Sequence, residues 1–422
     1  MYISNLTVFS YQRESDLIKG AEIGTIKVGV VSFPSPPVLG VYKLSVDIFF
    51  ALLSLNLYAM IYSSLFSKLV AAACVFHVST AHPGQTVQEL QGEIVERDIF
   101  FEDTNTPRDL SHCADILRKR GTEDRNRERI AAAVARARAD LGLPQKKAPI
   151  KARATSPVSI SHLSGLDVTP TTPNVEEIIY SNSSCILSLE GETGPFYVSG
   201  EHIRSDLRET QAGVPLVIDG QFLDTTTCEP IQDLYWDIWS CNSTGVYGGI
   251  PASPINGNAK DASNINKTFL RGLQPTDVNG VAQFTSLFPG HYAGRTTHMH
   301  IVAHIGGTVL SNGTYSGGKV SHIGQVFFDQ SLITKVEALS PYNTNKQRLT
   351  TNAADRVVAA EIAGGSDPFF NYVLLGDTVS DGIFAWITFG MNQRATYTAS
   401  AAARLTANGG VPIAGGGRPP IA

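Results

Sequence analysis

The sequence predicts an all-β fold, a two-sheet β-sandwich core preceded by a short helical arm. Three observations carry that prediction. Six short runs, LVIDGQFLD (216 to 224), LYWDIWSC (234 to 241), GVAQFTSLF (280 to 288), THMHIVAHI (297 to 305), IGQVFFD (323 to 329) and GIFAWITFG (382 to 390), are apolar or alternating and rich in aromatic residues. Gly, Pro, Asn and Asp turns separate them, the pattern of a sandwich rather than of successive βαβ units. Upstream, residues 108 to 141 repeat apolar positions at helical spacing without a proline, which predicts two helices broken near Gly121.

The arm and its flanks follow in order. Arg118, Lys119, Arg120 and the later arginines of 108 to 141 are expected on the solvated face of those helices. Residues 144 to 174 are rich in Pro, Ser and Thr and read as a linker. The domain boundaries expected are 1–81 for an amino-terminal extension plus signal peptide or anchor, 82–174 for the helical arm and linker, 175–395 for the sandwich, and 396–422 for a flexible tail.

The amino-terminal part bears on location. Ile48 to Ser67 carries no charge, about the length that spans a bilayer. Met60 to Ala81, MIYSSLFSKLVAAACVFHVSTA, has the lysine, apolar stretch and small residues of a secretory signal cleaved after Ala81, with 1 to 59 read as an extension upstream of the true start. Either reading places the body of the chain outside the cytosol. Removing the signal leaves Cys113, Cys185, Cys228 and Cys241, an even number that suits an oxidising compartment. Glycosylation sequons at Asn182, Asn242, Asn266 and Asn312 agree with secretion. The net charge of −5 is mixed along the chain and leaves no electrostatic footprint for nucleic acid.

PGHYAGRTTHMHIVAH, 289 to 304, concentrates the chemistry. In a strand, residues i and i+2 share a face, so His298 and His300 can present two imidazoles to one point, a common offer to a transition metal. Tyr292 lies six residues upstream, and Tyr247 sits among Gly245, Gly248 and Gly249 after a strong strand. A phenol ionises near neutrality only beside a strong positive charge such as Fe(III). No CxxC or HExxH accompanies the pair, so iron is favoured over zinc.

These residues resemble the intradiol ring-cleaving dioxygenases, within them the secreted fungal branch. The similarity runs from about Cys185 to Asp329. CILSLEGETGPFYVSGEHIRSDLRE is similar to the family's opening segment, with Arg204 and Asp206 at its arginine and acidic positions. GVPLVIDGQFLDTTTCEPIQDLYWDIWSCNSTGVYGG resembles the strand pair that ends in the first iron-ligating tyrosine, here Tyr247. FPGHYAGRTTHMHI matches the segment holding the second tyrosine, an arginine and both histidines, and GQVFFD the strand whose glutamine lines the substrate pocket. The resemblance implies Fe(III) held by Tyr247, Tyr292, His298 and His300. It implies Tyr292 as a proton acceptor, Arg295 stabilising negative charge on the ring, and Gln325 at the substrate. A catechol and O2 would then give a cis,cis-muconate-type diacid. The spacer AGRTT is shorter than in the bacterial members, which leaves the choice of catechol open, and oligomeric state is not carried over.

Other residues are expected to stand aside. His291 should lie at the surface or behind the ligands, and His304 should be solvated or hydrogen-bonded. His322 is a candidate for the pocket mouth, and His82 has no partner set. Trp236 and Trp239 should both be core. Cys228 with Cys241 and Cys113 with Cys185 is one of three possible pairings. Partners expected are a small aromatic diol and O2, with a membrane only if the amino-terminal segment is an uncleaved anchor. The rival reading is a non-catalytic secreted β-sandwich that binds polysaccharide or phenolic polymer, with Tyr247 and Tyr292 as surface aromatics.

Overall fold

Strands buried on both faces set the architecture, as a computed structural model of the chain shows. It divides into two units, Met1–Phe76 and His77–Ala422. The residues described are 110–145, 158, 161–163, 184–186, 193–363 and 367–417, all in the second unit. The expected signal, anchor and extension, His82, Asn182 and most of the linker lie outside them. Among the described residues no helix is long and apolar enough to cross a membrane.

The helices α1 (Ala114–Lys119) and α2 (Thr122–Asp140) come first, joined through Gly121 at φ 62°. That left-handed value is one that glycine adopts without steric penalty. Strands follow at β1 (Ser184–Ile186), β2 (Val198–Ser199), β3 (Pro215–Asp224), β4 (Tyr235–Trp239), β5 (Arg271–Pro275), β6 (Val281–Leu287), β7 (His298–Ile305), β8 (Thr308–Val309), β9 (Tyr315–Ser316) and β10 (Lys319–Phe327). Helices α3 (Gln330–Glu337) and α4 (Arg356–Ala363) precede β11 (Asn371–Leu374), β12 (Ile383–Met391), β13 (Ala403–Thr406) and β14 (Gly409–Pro412). Each of the six runs expected as strands coincides with or overlaps one, β10 starting four residues earlier at Lys319. The polar RGLQP of β5 and the short NYVL of β11 carry too weak a pattern to have been expected.

One sheet runs β1-β12-β3-β6 with β11 on β12, and the other runs β10-β7-β4-β5. They face each other across a core in which Leu216, Ile218 and Phe222 of β3 meet Trp236 and Ile238 of β4 and Met299, Ile301 and Ala303 of β7. Each buried Leu, Ile, Phe or Met among them contributes about 1.5–3 kcal/mol. Gly220 of β3 is required here, because a Cβ at that position would collide with the Trp236 ring.

The arm packs on the outer face of the first sheet, where Ile130, Ala133, Val134 and Ala137 of α2 meet Val373, Leu375, Phe384 and Trp386. Arg118, Lys119, Arg120, Arg125 and Arg136 are exposed as expected, whereas Arg127 and Arg138 are buried and Arg129 is half-buried. Arg129 pairs with the buried Asp219, Arg138 is itself buried and donates from Nε to Leu375 O at 3.0 Å, and Arg120 donates to Cys228 O at 2.8 Å. A guanidinium is long enough to cross the helix-to-sheet gap to these acceptors, and Gln283 shares Asp219 Oδ2 with Arg129. The disulfide also differs from the expected pairing: Cys113 bonds Cys228 across a Cα separation of 5.5 Å, and Cys241 is a buried free thiol. Proximity on a hairpin misled the expectation, since the arm brings Cys113 to Cys228 from 115 residues away.

Within 396–422, expected as a flexible tail, β13 and β14 form a ribbon that β2 extends by parallel pairing. Ala399, Ala401, Ala402, Ala403 and Leu405 pack with Phe196, Tyr197 and Val198 over the outer face of the second sheet. This is the face on which His298 and His300 emerge.

Candidate metal centre

β7 presents His298, His300, Val302 and His304 on one side and Met299, Ile301 and Ala303 on the other, so the histidine pair points away from the sandwich core. His298 Nδ1 lies 2.6 Å from Thr296 O. A carbonyl accepts only, so Nδ1 carries the proton and Nε2 the lone pair, the arrangement that orients a metal-binding imidazole. The ring of His300 stacks on Trp239, with centroids 4.9 Å apart and planes 3° from parallel. Trp239 therefore supports the site, whereas Trp236 fills the sandwich core as expected.

The two phenols arrive from separate loops. Tyr247 Oη stands 3.4 Å from His298 Nε2, which is 3.2 Å from His300 Nε2. The Tyr292 ring lies edge-on to the His298 ring at 5.5 Å and to the Tyr247 ring at 5.6 Å. Both phenols are 0% exposed. Tyr247 is pinned at its backbone: its N–H donates to Asn256 Oδ1 at 2.7 Å, and its carbonyl accepts from Asn256 and Asn264, each at 2.8 Å. Gln347 ties its loop to that of Tyr292, accepting from Ala293 N at 3.1 Å and donating to Gly245 O at 3.3 Å.

Burial pushes the Tyr247 phenol well above its ordinary value, reinforced by Cys241 and Tyr292 and opposed by Arg295 and Arg271. Burial likewise raises Tyr292, against the pull of Arg295. Phenols held so far up ionise only when a cation binds at their oxygens. Two nitrogens each about 2.1 Å from one ion, at roughly a right angle, stand about 3 Å apart, close to the spacing of the imidazole pair. The donor set thus fits a hard, highly charged metal ion.

Arg295 sits beside this cluster, 1% exposed, its Nε donating to Asp355 Oδ2 at 2.9 Å and its Nη2 to Gln325 Oε1 at 2.5 Å. Asp355 is the orienting residue that the sequence reading missed. Its Oδ2 also accepts from Thr296 N at 2.7 Å, and its Oδ1 caps α4 through Val357 N at 2.8 Å. Burial would raise its carboxyl, but Arg295 and the Thr296 amide hold it below the usual carboxylate range. The available signal was an aspartate immediately before the apolar run RVVAAEIA, a helix-cap position. Arg271 was also missed: it is buried, donates to Gly248 O and Phe196 O, and stands 5.9 Å over the Tyr247 ring.

The remaining candidates lie apart. His291 is buried rather than at the surface, between Glu337 at 2.7 Å and Gln347 O at 3.0 Å. His304 is hydrogen-bonded, to Asp237 at 3.3 Å. His322 does not reach a pocket mouth; it is enclosed on the inner face near Gly324, and burial pushes it down to about 3. Arg204 anchors backbone carbonyls of Thr268 and Arg271, and Asp206 pairs with Arg208. Among the described residues, the grouping of His, Cys and acidic side chains close enough to share an ion is His112, Cys113 and Cys228, and its sulfurs are joined in the disulfide.

An all-β sandwich with phenols and imidazoles on an outer sheet face defines a class, and comparison with known proteins gives it a family. The chain is 30% identical to an intradiol ring-cleavage dioxygenase from Tetranychus urticae, over 49% of this chain and 96% of that one, with a TM-score of 0.40. Catechol 1,2-dioxygenase from Pseudomonas arvilla is 16% identical over 47% and 60% of the two chains, with a TM-score of 0.29. Hydroxyquinol 1,2-dioxygenase from Pseudomonas putida is 17% identical over 51% and 70%, with a TM-score of 0.30. No family model and no curated relative matches the chain. By its identity to nearly the whole length of the mite protein, the chain belongs to the intradiol ring-cleavage dioxygenases.

Proposed function

We propose that the protein is a secreted Fe(III) dioxygenase that inserts both atoms of O2 into a catechol-type ring to give a cis,cis-muconate-type diacid. The observation that carries this reading is the convergence of Tyr247, Tyr292, His298 and His300 on one buried point. Bound ferric iron would supply the Lewis acidity that ionises phenols and makes a chelated catecholate reactive towards O2. The chain's residues would do the rest. Tyr292 would take a catechol proton at its Oη, since burial makes its phenolate a strong base. Arg295 would hold the negative charge that grows on the ring, a role that a preorganised buried guanidinium performs without reorganisation. Gln325 would border the substrate, its amide oriented by the bond from Arg295. The aromatic wall of Phe196, stacked on Tyr247 at 4.5 Å, would exclude water.

The rival reading needs Tyr247 and Tyr292 on the surface, and their complete burial speaks against it. Secretion rests on the amino-terminal sequence and the sequons. The test is spectroscopic and kinetic together. The iron-loaded protein should show a visible phenolate-to-iron absorption that bleaches or shifts with catechol, and should consume O2 one-for-one with the diol. A colourless protein that holds iron, or a coloured one inert towards every catechol offered, would overturn the proposal.

A further inference from the structure

The outer face of the second sheet holds another group of buried polar side chains, at the end of β7 away from the imidazole pair. His304 follows His300 by four residues on the same strand face, about 13 Å along it at the usual rise. The rings of Tyr197 and Trp239 stand between, Tyr197 at 5.0 Å from Trp239 and Trp239 at 4.9 Å from His300. A cavity of ≈ 860 Å³ opens here, bounded by Tyr197, Glu201, Asp237 and His304 below and by the 312–318 turn and the 399–416 segment above. That volume suits a small-molecule ligand. None of these side chains has a part in the ring-cleavage reading.

Glu201 is the informative member. It is 2% exposed and lines the cavity, yet its Oε2 has no hydrogen-bond partner, and its Oε1 reaches only to 3.8 Å from Arg271 Nε. A buried oxygen left unsatisfied is unfavourable, and a ligand hydroxyl would satisfy it. The surroundings select the ligand's charge. Glu201 and Asp237 on the floor are offset by His304 and Arg404 in the same lining, so neither an anion nor a cation is favoured over a neutral ligand. Burial pushes the Glu201 carboxyl up to about 8 despite Arg271, so at neutral pH it offers one donor and one acceptor, a match for adjacent hydroxyls. The wall adds the Asn312 amide and the Tyr315 ring.

We propose that this cavity is a saccharide-binding site, with Glu201 and Asp237 reading vicinal hydroxyls and Tyr315 bordering a sugar face. Two sources offer that chemistry. One is a free or polymeric carbohydrate; the other is a glycan on Asn312, whose sequon Asn312-Gly313-Thr314 forms part of the same wall. The site is independent of the iron reading, and its test does not require turnover.

The full chain is made in a bacterial periplasm, without glycans, and secreted from a glycosylating host. Both forms are titrated by calorimetry with neutral tetrasaccharides of glucose, xylose, mannose and N-acetylglucosamine. The glycan-free protein should bind at least one of them with Kd of about 1 mM or tighter. Glu201→Leu, and Ser316→Trp at the exposed rim, should each weaken that binding about tenfold or more while unfolding at the parent's temperature. An Asn312-linked occupant is distinguished by a glycosylated form that refuses the free sugar until Asn312→Gln restores binding. Absence of binding by the glycan-free protein overturns the proposal, as does binding that survives both Glu201→Leu and Ser316→Trp.

Discussion

The two outer faces of the sandwich are covered in opposite ways. Over the first sheet, α2 closes an apolar seam with Ile130, Ala133 and Val134, and its long cations satisfy Asp219 and backbone carbonyls at the margins. Over the second sheet, the cover is the extended chain of 196–198 and 399–405, and beneath it lie imidazoles and phenols instead of leucines. The first face spends its burial on stability. The second buries groups whose protonation is displaced and whose oxygens and nitrogens converge, an arrangement that stability alone would disfavour.

Substitutions should separate the two faces. The largest effect is expected for His300→Ala, which should remove iron and reduce ring cleavage to background while leaving the unfolding temperature of the metal-free protein nearly unchanged; metal analysis and oxygen uptake check both. Asp355→Asn should lower kcat by about 10–100-fold, since it leaves Arg295 unoriented, with a much smaller change in KM. Steady-state kinetics with intact iron content separates that from simple unfolding. On the opposite face, Cys228→Ser should cost about 2–5 kcal/mol in urea denaturation and leave the kinetics of the folded enzyme alone.

The smallest effect should appear in pH. His162 lies between Asp329 at 2.5 Å and Asp367 at 3.2 Å. Burial lowers its pKa, but the two carboxylates outweigh that and raise it to about 9. The folded value exceeds the unfolded one, so the stabilisation is complete below about pH 6.5 and disappears as pH rises through about 9, amounting to no more than about 3 kcal/mol. Unfolding free energies from urea titrations at pH 6 and pH 9.5 should differ by up to that amount and converge in His162→Gln. A difference that persists in the variant would assign it to other groups.

Legibility in the sequence followed the range of the interaction. The pair His298 and His300 and the strand that bears it are local, two residues apart on one face, and alternation alone exposes them. Tyr292 is close enough in sequence to be drawn in by the same stretch. Tyr247 is a candidate from its glycine-rich turn after a strong strand, but only the family resemblance ties it to β7. Asp355, Gln347 and Arg271 act through contacts across 60, 54 and 23 residues, from segments that read as a cap, a polar loop and a weak strand. The disulfide and the inward Arg129 and Arg138 of α2 were misread for the same reason: their partners belong to strands and loops the helix reaches only after folding. Residues 396–417 looked like tail because glycine and alanine carry little pattern, yet β2 supplies an edge for them to pair with.

Gln347 couples the two tyrosine loops through a single amide, with its oxygen on Ala293 and its nitrogen on Gly245. The separation of the phenols is therefore a tolerance to which this one side chain contributes, beside the Asn256 and Asn264 contacts that pin Tyr247. Grafting a longer 289–297 segment, to widen the pocket for a bulkier diol, would move both oxygens at once unless position 347 were redesigned with it.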